Sequence, residues 1–133
     1  MKNLLIYGIA TVIFFALDMV WLGLIAKNFY REKLGFILAP DVNWWAAIIF
    51  YLIYIGGILH FAILPAMREH RWQTALIQGA VLGFLCYATY DLTNMATIKN
   101  WPLKVVVVDI IWGMVLTGSC ALISYMAATK LLQ

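Results

Sequence analysis

Residues 4–26 read LLIYGIATVIFFALDMVWLGLIA: no basic residue, no proline, and a single acid, Asp18. At 1.5 Å of rise per residue, a run of this length crosses a hydrocarbon core of about 30 Å as one helix. A carboxylate at membrane depth costs about 2.5–3.5 kcal/mol on insertion scales, so Asp18 is a functional candidate from the outset.

Three further runs share this character, over about 44–66, 74–98 and 103–128, and the last two carry Asp91 and Asp109. The whole chain is 65% apolar and 11% charged, against about 45–50% and about 25% in soluble domains. The predicted fold class is therefore all-α, a four-transmembrane-helix bundle. It forms a single integral-membrane domain over 1–133, with both termini on the same side because the number of spans is even. The lipid bilayer is its first partner. The net charge of +3 is not a nucleic-acid signal, because Lys and Arg fall between the runs, as membrane-flanking charges do. Met1-Lys2-Asn3 resembles the start of a signal peptide. The run behind it is too long, carries Asp18 and lacks a small-residue cleavage site, so it reads as an uncleaved first helix. Cys86 and Cys120 lie inside apolar runs, away from any metal-ligand spacing, and read as small buried hydrophobes.

The connections carry the turn chemistry. Lys27 to Asn43 is a polar connection, with Asp41 or Asn43 able to cap the second span. Arg68-Glu69-His70-Arg71 makes the second turn. Lys99-Asn100-Trp101-Pro102 makes the third, with Asn100 as a cap and Pro102 tolerated in the first helical turn. Trp44, Trp45, Trp72 and Trp101 fall at predicted interfaces, where indole rings prefer to lie. Let the termini face side A. Side A then carries Lys2, Arg68, Arg71 and Lys130, and side B carries Lys27, Arg31, Lys33, Lys99 and Lys104. So balanced a distribution leaves the orientation undecided and allows a dual-topology protein.

Helix arithmetic brings the acids together. Asp18, Asp91 and Asp109 lie about eight, seven and six residues from the side-B ends of their spans, or roughly 12, 10 and 9 Å deep. Three helices thus deliver a carboxylate to one layer. Neighbours at i+3 share a helix face: Trp21 with Asp18, Trp112 with Asp109, and Asn94 with Asp91, which has Tyr87 one turn before it. Trp supplies an N–H donor and an aromatic wall, and the glycines after it, Gly23 and Gly113, admit a close neighbour. Three clustered carboxyls cannot all carry charge in low dielectric without a compensating cation. Either a divalent metal neutralises them, with Asp18, Asp91 and Asp109 as ligands, or one or more keeps or exchanges a proton. No acid pair at ligand spacing occurs on any single helix, so the metal is the weaker reading. The basic side-B rim would suit an anionic headgroup, and taken alone it is interfacial anchoring.

Elsewhere packing suffices. Ala75, Gly79 and Gly83 form a small-residue stripe of the kind that joins membrane helices. His60 and Gln78 lie at similar depth near side A and are expected to hydrogen-bond. The bland reading of the aspartates themselves is inter-helix glue, worth about 0.6 kcal/mol on average in one well-studied case. The preferred reading is a pocket lined by Asp18, Asp91 and Asp109. Asn94 would orient a carboxylate or ligand there, and Trp21, Trp112 and Tyr87 would wall it. Such a pocket would bind or modify a lipid-like or amphipathic molecule, with an Asp as general acid–base if catalysis occurs. The alternatives are a small proton- or cation-coupled transporter acting as a homodimer, and an accessory membrane subunit.

At Leu17-Asp18-x-x-Trp21-Leu22-Gly23, Tyr90-Asp91-Leu92-Thr93-Asn94 and Asp109-x-x-Trp112-Gly113, the chain resembles a family of small bacterial membrane proteins, domain of unknown function 2177. The resemblance covers nearly the whole chain. It implies a multi-pass protein of four spans in the bacterial inner membrane and supplies no activity, cofactor or catalytic residue.

Overall fold

The computed structural model describes residues 1–132, and among these every regular element is helical. Helix α1 (Lys2–Val20) runs into a π-helical turn at Trp21–Ile25. After a short helix α2 (Phe29–Leu34), α3 (Trp44–Ile58) continues through a second π-helical turn, Leu59–Ile63, into α4 (Leu64–Glu69). Helices α5 (Trp72–Thr97) and α6 (Leu103–Leu132) complete the bundle. Four helices are long and apolar enough to cross a membrane: Lys2–Ile25, Trp44–Glu69, Trp72–Thr97 and Leu103–Leu132.

Local chemistry sets the boundaries. The Asn43 side chain accepts from the Ala46 N–H at 3.2 Å, so Asn43 rather than Asp41 caps α3. Pro65 lies inside the continuous 44–69 helix, where it removes an N–H from the ladder, and the wider π turn just before it accommodates the ring and the missing bond. Asn100 does not act as a side-chain cap. It takes a left-handed backbone conformation (φ 65°), which Asn tolerates better than most residues, and turns the chain into Trp101-Pro102.

The surface is that of a membrane protein. Large side chains such as Val12, Leu24 and Ile53 point outward, while Asp18, Asp91, Asp109, Thr117 and Ser124 are buried. On α1 the buried positions, Ile6, Ala10, Phe14 and Asp18, recur every fourth residue, so one face of the helix leads to the acid. On α5 the buried stripe Ala75, Gly79, Gly83 and Ala88 leads to Asp91.

The α5–α6 contact is the most extensive in the bundle, and small residues make it possible. A Cβ on Gly79 would lie 2.8 Å from the Thr117 carbonyl oxygen, and one on Gly83 would overlap the Gly113 carbonyl. The stripe on span three thus packs backbone against backbone. The helix pair is fastened to α3 by a hydrogen bond between the Tyr54 and Thr117 hydroxyls, 2.7 Å.

Two expectations fail here. His60 and Gln78 are both exposed and share no hydrogen bond; His60 instead stands edge-on to Phe61, centroids 4.8 Å apart. Cys120 is buried, but Cys86 is exposed on the outer face of α5.

Candidate functional site

Toward the side-B end, α3 packs on α1 and diverges from α5, whereas the π turn that follows it packs closely on α5. The divergence leaves a crevice of about 340 Å³ lined by Phe50 and Tyr54 of α3, Cys86, Tyr87 and Tyr90 of α5, and Asp109 of α6. Phe50, Cys86 and Tyr90 of this lining are exposed on the apolar outer face, whereas Tyr54 and Asp109 are its buried members. Gly113 makes room for Tyr87, because a Cβ there would run into the Tyr87 ring.

The three aspartates occupy two linked subsites. Asp91 and Asp109 face each other across the α5–α6 contact. Asp109 accepts a hydrogen bond from the Tyr30 hydroxyl, which itself accepts from the Trp21 indole N–H at 3.1 Å. Asp18 instead accepts from the Tyr51 hydroxyl at 2.9 Å. Tyr87 lies within the field of both Asp18 and Asp109 and so stands between the subsites. Among the described residues no group of three or more His, Cys, Asp or Glu side chains is placed to hold a metal ion, and the three aspartates do not form one.

Asp91 stands apart from the other two. It is 0% exposed, and neither carboxyl oxygen has a hydrogen-bond partner among the described residues. Asn94, three residues on, bonds to neither carboxyl; its side chain lies beside Tyr90. Above Asp91 sits Trp101, which is only 7% exposed and edge-on to Tyr90 at 6.0 Å. Trp101 is therefore not an interfacial anchor. With Leu34, Val105 and Val106 it forms a second small core, against which Phe29 and Tyr30 of α2 pack. That packing inserts Tyr30 over Asp109. Burial, then the hydrogen bond and negative charge of Asp109, push the Tyr30 phenol above its ordinary range.

The two Asp-x-x-Trp motifs meet directly. Trp21 and Trp112 stack with centroids 4.5 Å apart and planes 11° from parallel. Each indole serves the other motif's acid. Trp21 reaches Asp109 through Tyr30, and Trp112 lies beside Asp18, although its N–H has no partner at hydrogen-bond distance.

Asp18, Asp91, Asp109, Trp21, Trp112 and Tyr87 therefore gather around one region of the bundle. Tyr30, Tyr51, Tyr54 and Trp101 join them without having been read from the sequence. The one available signal was the aromatic pair Phe29-Tyr30 with Leu34, an apolar set inside a connection that otherwise reads as polar. Tyr51 lies on a span apolar on every side, where no periodicity marks a face.

No curated protein and no solved structure matches the chain. A family model described as "Predicted membrane protein (DUF2177)" matches residues 3–126, and the chain belongs to that family.

Proposed function

We propose that the protein binds a lipid-like or amphipathic molecule laterally, with the apolar body of the ligand in the crevice between α3 and α5 and its polar end at Asp109. The observation that carries this reading is the crevice itself, about 340 Å³, with aromatic walls and a buried carboxyl in its lining. Ligand sites are typically apolar pockets of about 300–1,000 Å³ with a few placed polar groups. An opening on the lipid-facing side admits a ligand from the bilayer without a path through water. Burial of Asp18, Asp91 and Asp109 at a cost in stability supports a functional pocket over simple glue.

Cys86 lines the crevice and is the exposed one of the two thiols, so it serves as a native reporter. The protein in nanodiscs would be alkylated with a lipophilic maleimide in the presence of single-chain twelve-carbon amphiphiles, as a small mole fraction of the lipid. The expected result is slower alkylation of Cys86 with at least one amphiphile. A control cysteine at the outward Ile53, which is 70% exposed, would be unaffected in a Cys86→Ala background. Equal rates at both positions with every amphiphile would overturn the proposal.

A further inference from the structure

Resting on that reading, we infer that the crevice selects a cationic amphiphile, an organic ammonium whose positive charge is matched by the Asp109 carboxylate while the neighbouring Asp91 carboxyl holds a proton.

The first argument is a charge imbalance. Three carboxyls are buried here, and their hydrogen-bond partners are phenols rather than cations: Tyr51 for Asp18 and Tyr30 for Asp109. No Lys or Arg acts on any of them; Lys27, Arg31, Lys99 and Lys104 are all exposed, and Lys33 is half-buried. Buried charges are ordinarily paired, so a cation supplied by a ligand has an unmatched site waiting for it.

The second argument is the division of labour between the paired acids. Asp91 is fully enclosed, with Asp109 and the Trp101 indole as neighbours and no donor at hydrogen-bond distance, a setting in which an ionised carboxylate is costly and the neutral acid is favoured. Asp109 is buried too but differs in its contacts. It lines the crevice, and one of its oxygens accepts from Tyr30 at the end of the Trp21–Tyr30 donor chain, which offsets part of the burial cost of the anion. Of the two, Asp109 is the one that a ligand can reach.

The third argument is the walls. Phe50, Tyr54, Tyr87 and Tyr90 line the same crevice as Asp109. Aromatic walls beside a carboxylate are the surroundings that bind organic ammonium groups, each cation–π contact adding about 0.5–2 kcal/mol. An anionic headgroup would meet the same carboxylate with repulsion.

A proton and the cation compete for Asp109: where Asp109 is protonated, the cation binds only as that proton leaves to solvent, and net charge is conserved. The titratable groups facing Asp109 are Tyr30 from α2 and Asp91, Tyr87 and Tyr90 from α5, with Asp18 acting on the same Tyr87. Phenols remain neutral between pH 5 and 8, so only the carboxyls respond there.

The Cys86 assay decides between headgroups. Dodecyltrimethylammonium, dodecanol and dodecanoate carry similar chains and differ in charge. The expected order is protection by the ammonium at about a tenfold lower mole fraction than by the alcohol, with the carboxylate weakest. A tenfold preference corresponds to about 1.4 kcal/mol, within the reach of one ion pair and one ring face. Protection by the ammonium should weaken from pH 8 to pH 5. Asp109→Asn should lose the preference and Asp109→Glu should keep it. If dodecanol or dodecanoate protects as well as the ammonium, or if Asp109→Asn retains the preference, the inference is overturned and the crevice remains an amphiphile site. If no amphiphile protects Cys86, both proposals fall.

Discussion

Replacing Gly83 by alanine tests the packing that holds the two facing acids in place. A Cβ at Gly83 would overlap the Gly113 carbonyl oxygen, lie 2.8 Å from the Gly113 carbonyl carbon, and lie 2.9 Å from Thr117 Oγ1. Two of these atoms are backbone, so no side-chain rotation relieves the clash and α5 must move away from α6. Restoring ordinary contact requires a displacement of roughly 1 Å, in an interior packed to crystal-like density. Overpacking of this kind costs about 1–3 kcal/mol. The 2.7 Å Tyr54–Thr117 hydrogen bond joins α3 to α6, so a shift of α5 leaves it in place. The expected destabilisation is therefore about 1–3 kcal/mol. Gly8→Ala is the matched control: Gly8 lies within α1 and nothing stands within 4 Å of the added methyl. That change should stabilise by about 0.5–1 kcal/mol, through helix propensity alone. Reversible unfolding of both variants and wild type by denaturing detergent in mixed micelles gives the comparison. If Gly83→Ala unfolds at the wild-type midpoint, or if the two glycines respond alike, the close α5–α6 contact is not as described.

The aspartates should separate by their partners. Asp18→Ala strands the Tyr51 hydroxyl and should cost about 1–2 kcal/mol in the same unfolding assay. Asp91→Asn removes no hydrogen bond and should stay within about 0.5 kcal/mol of wild type at pH 7; an equal loss at both positions would mean that Asp91 has a partner. Tyr30 adds a prediction at high pH. Its folded-state phenol titrates above the ordinary value of 10.0, so its contribution is complete below about pH 10 and is lost as pH rises beyond it. Tyr30→Phe should unfold with a shallower loss of stability above about pH 10 than wild type. Parallel curves would show that Asp109 and burial do not hold this phenol neutral.

How much of this was legible in the sequence follows from the kind of signal each feature leaves. Length, apolarity and the absence of charge fix the four spans, because a bilayer imposes one dimension on every segment that crosses it. Depth is equally legible, because 1.5 Å per residue needs no knowledge of neighbours. Facing is not. On α3 every turn is apolar, so nothing in the order of residues marks Tyr51 and Tyr54 as inward and Ile53 as outward. Cys86 illustrates the same gap, since an apolar run looks identical whether its residue faces a helix or the lipid. Trp101 misled for another reason: a Trp beside a helix end ordinarily marks an interface. Here the left-handed Asn100 turns it back over Asp91, and α2 closes over it through Leu34.

The two Asp-x-x-Trp motifs carry the most instructive discrepancy. On a single helix, the i+3 spacing pairs each acid with its own indole, and the sequence offers no other pairing. In the bundle α1 and α6 are neighbours, and their Trp21 and Trp112 rings stack face to face. Once the rings meet, each indole is linked to the other motif's acid. Trp112 comes beside Asp18, and Trp21 serves Asp109 through Tyr30. A motif written twice thus acts reciprocally between neighbouring helices. The consequence for mutagenesis is specific. Changes at Trp21 should be felt at Asp109 more than at Asp18, although Asp18 is three residues away in sequence and Asp109 lies on another helix.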